Sequence, residues 1–203
     1  NFKLPEAIIN NKINSVNLHQ YDSIGIGPGL GLRKKILLIK ILKNRANNPL
    51  VIDADAINII SKNRNLLKLC SQTIFTPHIN EFKKLVGNYN TDEEKLKKQI
   101  NFSKKYNLIL VLKGAHTTIS NSDGTVFFNS TGHSGLAKAG SGDILTGLIV
   151  SMIAQGYSII NSAILGVYVH GYSAELCLKN ETEESMLPSN IINTFGKVFK
   201  SMQ

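Results

Sequence analysis

Leu108-Ile109-Leu110-Val111-Leu112-Lys113-Gly114-Ala115-His116-Thr117 decides the fold class of this 203-residue chain. Apolar residues run from Leu108 to Leu112 without alternation and stop at a lysine and a glycine. A strand apolar on both faces belongs between two layers, as in a parallel sheet covered by helices. The same unit recurs upstream. Residues 22–26 read as a short apolar strand running into the turn Gly27-Pro28-Gly29-Leu30-Gly31. Residues 49–53 form a β-branched strand followed by Asp53-Ala54-Asp55, and residues 72–76 a third strand stopped by Pro77.

Helical patterns separate these strands. The first carries Ile36, Leu37, Ile39, Ile41 and Leu42; others cover residues 56–61 and 79–86. Thr91-Asp92-Glu93-Glu94 reads as a capping box opening a helix with Leu96, Ile100 and Tyr106. Beyond Thr117 the pattern changes: residues 117–120 and 125–129 pair across Asn121-Ser122-Asp123-Gly124 as a hairpin. Three helices follow, over residues 143–154, 159–178 and 189–199. The predicted fold is therefore α/β, a three-layer αβα sandwich whose sheet is mostly parallel, with a late antiparallel hairpin at its edge. No repeat or linker interrupts it, so residues 1–203 are expected to form a single domain.

Composition narrows the function classes. The chain is 42% hydrophobic and 18% charged, with no apolar run long enough to span a bilayer. The opening residues do not read as a signal peptide. Cys70 and Cys177 lie far apart with no CxxC or His pairing, which reads as buried thiols, and a cytoplasmic location fits. The net charge of +9 invites nucleic acid. However, the lysines are spread over several helices and interleaved with acids, and no zinc finger or aromatic stacking ladder accompanies them. Nucleic acid and membrane are thus not expected as partners, and the excess charge suits steering of a small polyanion such as a nucleotide.

In open α/β sheets, ligands bind outside the carboxyl ends of the strands. The polar and glycine clusters at Gly27–Gly31, Asp53–Asp55, Pro77–Glu81 and Lys113–His116 each follow a strand, so they should meet at one edge. The glycines of the first cluster do not match a dinucleotide fingerprint, and no P-loop or kinase glycine-rich motif is present. Asp55 reads as a cap for the next helix, while Asp53 suits orienting a neighbouring loop or contacting water around a metal. Glu81 is favoured by the dipole of its own helix, and His78 at the loop tip is able to stack or hydrogen-bond. Lys113 emerging beside a glycine suits an anionic ligand, or else is a snorkelling strand end.

The loop Gly132-His133-Ser134-Gly135-Leu136-Ala137-Lys138-Ala139-Gly140-Ser141-Gly142 leads to Asp143, read as the start of an apolar helix. Two readings stand. Asp143 is a helix cap, or it takes a proton from a hydroxyl attacking phosphorus while the amides of Gly140, Ser141 and Gly142 hold the transferring group.

In order along the chain, GIGPGLG (Gly25–Gly31), VIDADAIN (Val51–Asn58), FTPHINEF (Phe75–Phe82), VLKGAHTTI (Val111–Ile119), AGSGDILTGLI (Ala139–Ile149) and LGVYVHGYSAEL (Leu165–Leu176) resemble the ADP/ATP-dependent NAD(P)H-hydrate dehydratases, a branch of the ribokinase-like superfamily. The resemblance implies repair of hydrated nicotinamide cofactor: phosphorylation of the ring hydroxyl from ADP or ATP, then elimination of phosphate to regenerate NADH or NADPH. It implies Asp143 as base, and Gly140, Ser141 and Gly142 as the anion hole. Lys113, Gly114, Ala115, His116 and Thr117, with Gly142, would hold the adenine nucleotide. Gly29, His78 and Asp143 would contact the hydrate. Mg²⁺ would accompany the nucleotide, with Glu81 as a candidate metal contact. A homo-oligomer, a tetramer in the family, and a fused or partner NAD(P)H-hydrate epimerase are also implied. His133 and Ser134 stand where the family usually has Asn-Pro, and Lys138 and Ala139 where it has Thr-Gly; Lys138 thereby adds a positive charge beside the anion hole. The family's first strands and helices are expected to be missing from this chain. Two alternatives remain: a ribokinase-like kinase acting on a hydroxymethylpyrimidine or hydroxyethylthiazole alcohol, and a nucleotide-binding protein without catalysis.

Overall fold

The structure, a computed structural model, describes residues 17–45 and 48–203; the reading of the opening residues falls outside these. Six strands form one sheet in sequential order: β1 (Ile24–Ile26), β2 (Leu50–Ile52), β3 (Thr73–Phe75), β4 (Ile109–Leu112), β5 (Thr118–Ser120) and β6 (Val126–Phe128). The first four run parallel, and the last two are the antiparallel hairpin. The strands are shorter than the sequence suggests, yet ladder-type bonds continue past their ends. The N–H of Asp53 donates to Ile26, that of Thr76 to Ile52, and that of Lys113 to Pro77. Each predicted polar cluster is thus anchored by the backbone before its loop begins.

Alternation along the strands sorts the core into two layers. Leu50, Ile52, Phe75, Leu110 and Leu112 face one side, and Val51, Ile74, Ile109 and Val111 the other. Neighbouring parallel strands joined by right-handed crossovers put every connecting helix on the same face. Accordingly α1 (Lys35–Asn44), α2 (Ala54–Lys62), α3 (Ile79–Val86) and α4 (Asp92–Tyr106) all bury residues in the first layer. The opposite face is covered by α5 (Ser141–Ala154) and α6 (Ile159–Cys177), with α7 (Pro188–Ser201) packed outside them. This central position explains why α5 is apolar nearly all round. Leu145, Ile149 and Ile153 meet the sheet, while Leu148 and Met152 meet Val169 and Val198.

Two local readings change. In α1 the buried face is Leu38, Ile41 and Leu42, and Ile36 is 84% exposed. At α4 the Thr91 hydroxyl accepts from the Glu94 N–H, but the Glu94 carboxylate accepts from Asn90 rather than from Thr91, so the reciprocal half of the box shifts by one residue. Among the described residues no helix is long and apolar enough to cross a membrane.

Candidate active site

The carboxyl ends of β1 to β4 meet as expected. A side chain on Gly27 would put its Cβ 1.8 Å from the Asp53 carbonyl oxygen, and the residue sits at φ +134°, so only glycine lets the first turn approach β2 this closely. Asp55 does not cap α2, because a tie to the first turn takes its place: its carboxylate accepts from the Gly31 N–H at 2.8 Å. Asp53 precedes α2 and also leaves the helix uncapped by its side chain. It is instead 1% exposed, accepting from Lys113 Nζ at 2.9 Å and from the Thr146 hydroxyl at 3.0 Å. One carboxylate therefore joins the end of β2, the end of β4 and the second turn of α5.

Lys113 is consequently not a loose snorkelling end. Its backbone pairs with Pro77 and bridges to His78, which stands beside it at the same edge. His78 starts α3: its Nδ1 accepts from the Asn80 N–H at 3.1 Å, and its own N–H donates to the Glu81 carboxylate at 3.0 Å. Glu81 is buried and engaged in this way.

The glycine loop ends differently from its sequence reading. The helix starts at Ser141, two residues before Asp143, and its cap is Gly140 at φ +89° with no side-chain cap. A glycine here reaches the left-handed region without strain, and it leaves the first N–H groups open. Ser141 N–H donates to Lys138, and Ile144 N–H to Gly140. Among the described residues, the amides of Gly142 and Asp143 find no acceptor. Asp143 is exposed in this first turn, with no hydrogen-bond or ion-pair partner among the described residues. The cap reading of Asp143 therefore fails. Gly142 lies against the ion pair, its would-be Cβ 3.2 Å from Lys113 Nζ.

Beside this turn opens a cavity of about 810 Å³. Its wall includes His78, Lys113, Gly114, Ala115, Thr117, Ser141 and Gly142. Gly29, His116, Gly140 and Asp143 lie outside that wall, Gly29 on the exposed first turn and Asp143 next to lining residue Gly142. Sequence reading overlooked Asn129, Thr131 and His170, which also line it. For His170 the available signal was a histidine-glycine pair interrupting an apolar helix. His170 is 8% exposed, its Nε2 is 3.2 Å from the Ser141 hydroxyl, and burial pushes its pKa down to about 4.

Lys138 lines the same cavity, and its ammonium is held by main-chain carbonyls. Its ammonium donates to the carbonyls of Glu183, Glu184 and Met186 at 2.6, 2.8 and 3.0 Å, tying the glycine loop to the α6–α7 connection. His133 Nδ1 accepts from the Gly135 N–H at 3.2 Å, so His133 and Ser134 form a local turn along the cavity wall. The site thus combines open helix amides, a fixed ammonium and an unpaired carboxylate, a set suited to binding a phosphate and moving a proton beside it.

A family model described as NAD(P)H-hydrate dehydratase matches residues 1–197. The chain is 36% identical over 160 residues to the ADP-dependent (S)-NAD(P)H-hydrate dehydratase of Neisseria meningitidis serogroup B, covering 75% of this chain and 53% of that protein. It is 32% identical over 190 residues to the bifunctional NAD(P)H-hydrate repair enzyme Nnr of Moorella thermoacetica, covering 92% of this chain and 36% of that protein. Among solved structures, the ADP/ATP-dependent NAD(P)H-hydrate dehydratase from Bacillus subtilis co-crystallised with ATP/Mg²⁺ aligns with a TM-score of 0.78 at 26% identity, covering 95% of this chain and 69% of that one. The chain therefore spans about half, or less, of the length of these curated relatives.

Proposed function

The chain belongs to the NAD(P)H-hydrate dehydratase family, and from that membership we propose that it takes part in ADP- or ATP-dependent dehydration of (6S)-NAD(P)H hydrate to NAD(P)H. The observation that carries the proposal is the start of α5, where Gly142, with its open amide, lies against Lys113 Nζ and the unpaired Asp143 follows as the next residue. In this reading Asp143 takes the proton from the ring hydroxyl as that oxygen attacks phosphorus. The Gly140–Gly142 turn holds the transferring phosphoryl group, whose charge the amides and helix dipole stabilise. Lys113, Gly114, Ala115, His116 and Thr117, with Gly142, hold the nucleotide, and Asp53 and Thr146 keep Lys113 in place. Gly29 and His78 contact the hydrate. Loss of phosphate from the phosphorylated ring then regenerates the reduced nicotinamide.

The donor chemistry fits a magnesium ion carried mainly by nucleotide oxygens and water. Among the described residues no cluster of three or more His, Cys, Asp or Glu is arranged to hold a metal. Asp53 is taken by Lys113 and Glu81 by His78, which leaves Asp143 as the open carboxylate of this site. When bound, the ion neutralises charge on the phosphates during transfer. We further propose a cytoplasmic homo-oligomer that works with an NAD(P)H-hydrate epimerase, a second repair activity in keeping with relatives named bifunctional NAD(P)H-hydrate repair enzymes.

The test is decay of hydrated NADH to NADH, followed at the reduced nicotinamide absorbance with ADP or ATP and Mg²⁺. Nucleotide-dependent recovery of NADH with release of free phosphate supports the proposal. A stable phosphorylated alcohol from a hydroxyethylthiazole substrate would instead identify a kinase, and a nucleotide-induced rise in melting temperature with no hydrate turnover would identify a binding protein.

A further inference from the structure

The side chains of His170 and Ser141 form a pair within the cavity wall, and the proposed chemistry leaves their hydrogen bond unused. Ser141 is the first residue of α5 and is 3% exposed, so its hydroxyl stands at the same helix end as the open amides of Gly142 and Asp143. A hydroxyl has a single proton. If Ser141 gives that proton to the imidazole, it presents only lone pairs to an incoming phosphate, which repel it. If the imidazole gives its proton to the serine oxygen, the serine proton is free to meet the phosphate. The direction of one hydrogen bond thus decides whether Ser141 opposes or supports the anion site.

We infer that His170 is a positioning residue: as a neutral imidazole protonated on Nε2, it donates to Ser141 Oγ and turns the serine O–H toward the bound phosphate as a donor beside the two amides. Two observations support this arrangement. The ring nitrogen that faces Ser141 Oγ, at 3.2 Å, is Nε2. The ring is buried and its pKa is depressed, which keeps it neutral and gives it one N–H. A neutral donor also suits the position, because Lys113 already supplies a cation on the same wall.

The inference rests on the proposal that this helix end binds phosphate, but not on Asp143 acting as base. Two measurements test it. In the unmutated protein, ¹⁵N-resolved NMR of the His170 ring should find the proton on Nε2; a proton on Nδ1 would overturn the inference. ADP affinity by calorimetry should fall roughly tenfold in His170→Leu and in Ser141→Ala, in line with one lost hydrogen bond to a charged group. The double variant should lose little more, and His170→Gln, whose amide donates from a similar position, should recover most of the affinity. Independent, multiplying losses in the double variant would also overturn it. If ADP binds as expected in these variants while hydrate turnover is absent from the parent protein, the proposed reaction fails and the positioning role stands. If the parent does not bind ADP, the role fails with the phosphate site.

Discussion

Lys113→Met should destabilise the protein considerably more than Asp53→Asn, although both break the same bond. The Asp53 side chain is 2% exposed and that of Lys113 22%, with Nζ and Oδ1 at 2.9 Å. Removing the lysine leaves a carboxylate shut away from water with only the Thr146 hydroxyl as donor. An uncompensated buried charge of this kind costs about 3–5 kcal/mol. Removing the negative charge instead leaves an ammonium able to draw on solvent, and the asparagine oxygen still accepts one hydrogen bond. The expected cost is about 1–2 kcal/mol. The double variant should fall near the Asp53→Asn value, because the charge that Lys113 compensates is gone, giving a coupling of about 3–5 kcal/mol, the whole of the Lys113→Met loss. For a protein of this size each kcal/mol shifts the midpoint by about 2–4 °C, so Lys113→Met should melt roughly 10 °C lower. Chemical denaturation of all four proteins completes the cycle. Equal single losses, or losses that simply add, would refute the view that Asp53 is a desolvated anion held by Lys113.

Two further outcomes follow from the same geometry. Lys138→Met removes the ammonium shared by the carbonyls of Glu183, Glu184 and Met186; it should cost about 1–2 kcal/mol and speed amide exchange around residues 183–188, as hydrogen-exchange mass spectrometry would register. His170 makes stability depend on acidity. Its pKa is lowered from 6.5 to about 4, chiefly by burial, so between these values the unfolded chain binds a proton that the folded one does not. Its contribution is therefore intact above about pH 6.5 and is lost as the pH falls toward 4, by about 3 kcal/mol at most. His170→Gln should flatten that part of the stability profile, measured by denaturation across pH.

The layers were legible because they depend on local pattern. Leu108–Leu112 announces a strand buried on both faces, and α3 appears over its expected residues, 79–86. The convergence of four loops also followed, since sequential parallel strands share one carboxyl edge. What local pattern does not encode is which side chains meet across crossovers. Asp53 and Lys113 are 60 residues apart and pair only because β2 and β4 flank β3. Lys138 reads as a charge near the anion hole, yet its partners are carbonyls 45 to 48 residues further on. Asp55 follows the ordinary preference for capping, and its bond to the Gly31 N–H, 24 residues away, overrides it. At Asp143 the carboxylate suggested a helix start, whereas Gly140 is the residue that turns the chain into α5.

Asp143→Asn is the most direct measurement of the proposed chemistry. It removes the proton acceptor while keeping the size of the side chain and the helix amides. Hydrate turnover with ADP or ATP should fall at least about a hundredfold, with nucleotide affinity kept or improved because a negative charge beside the phosphates is gone. Turnover within a few fold of the parent protein would contradict the assignment of Asp143 as the base.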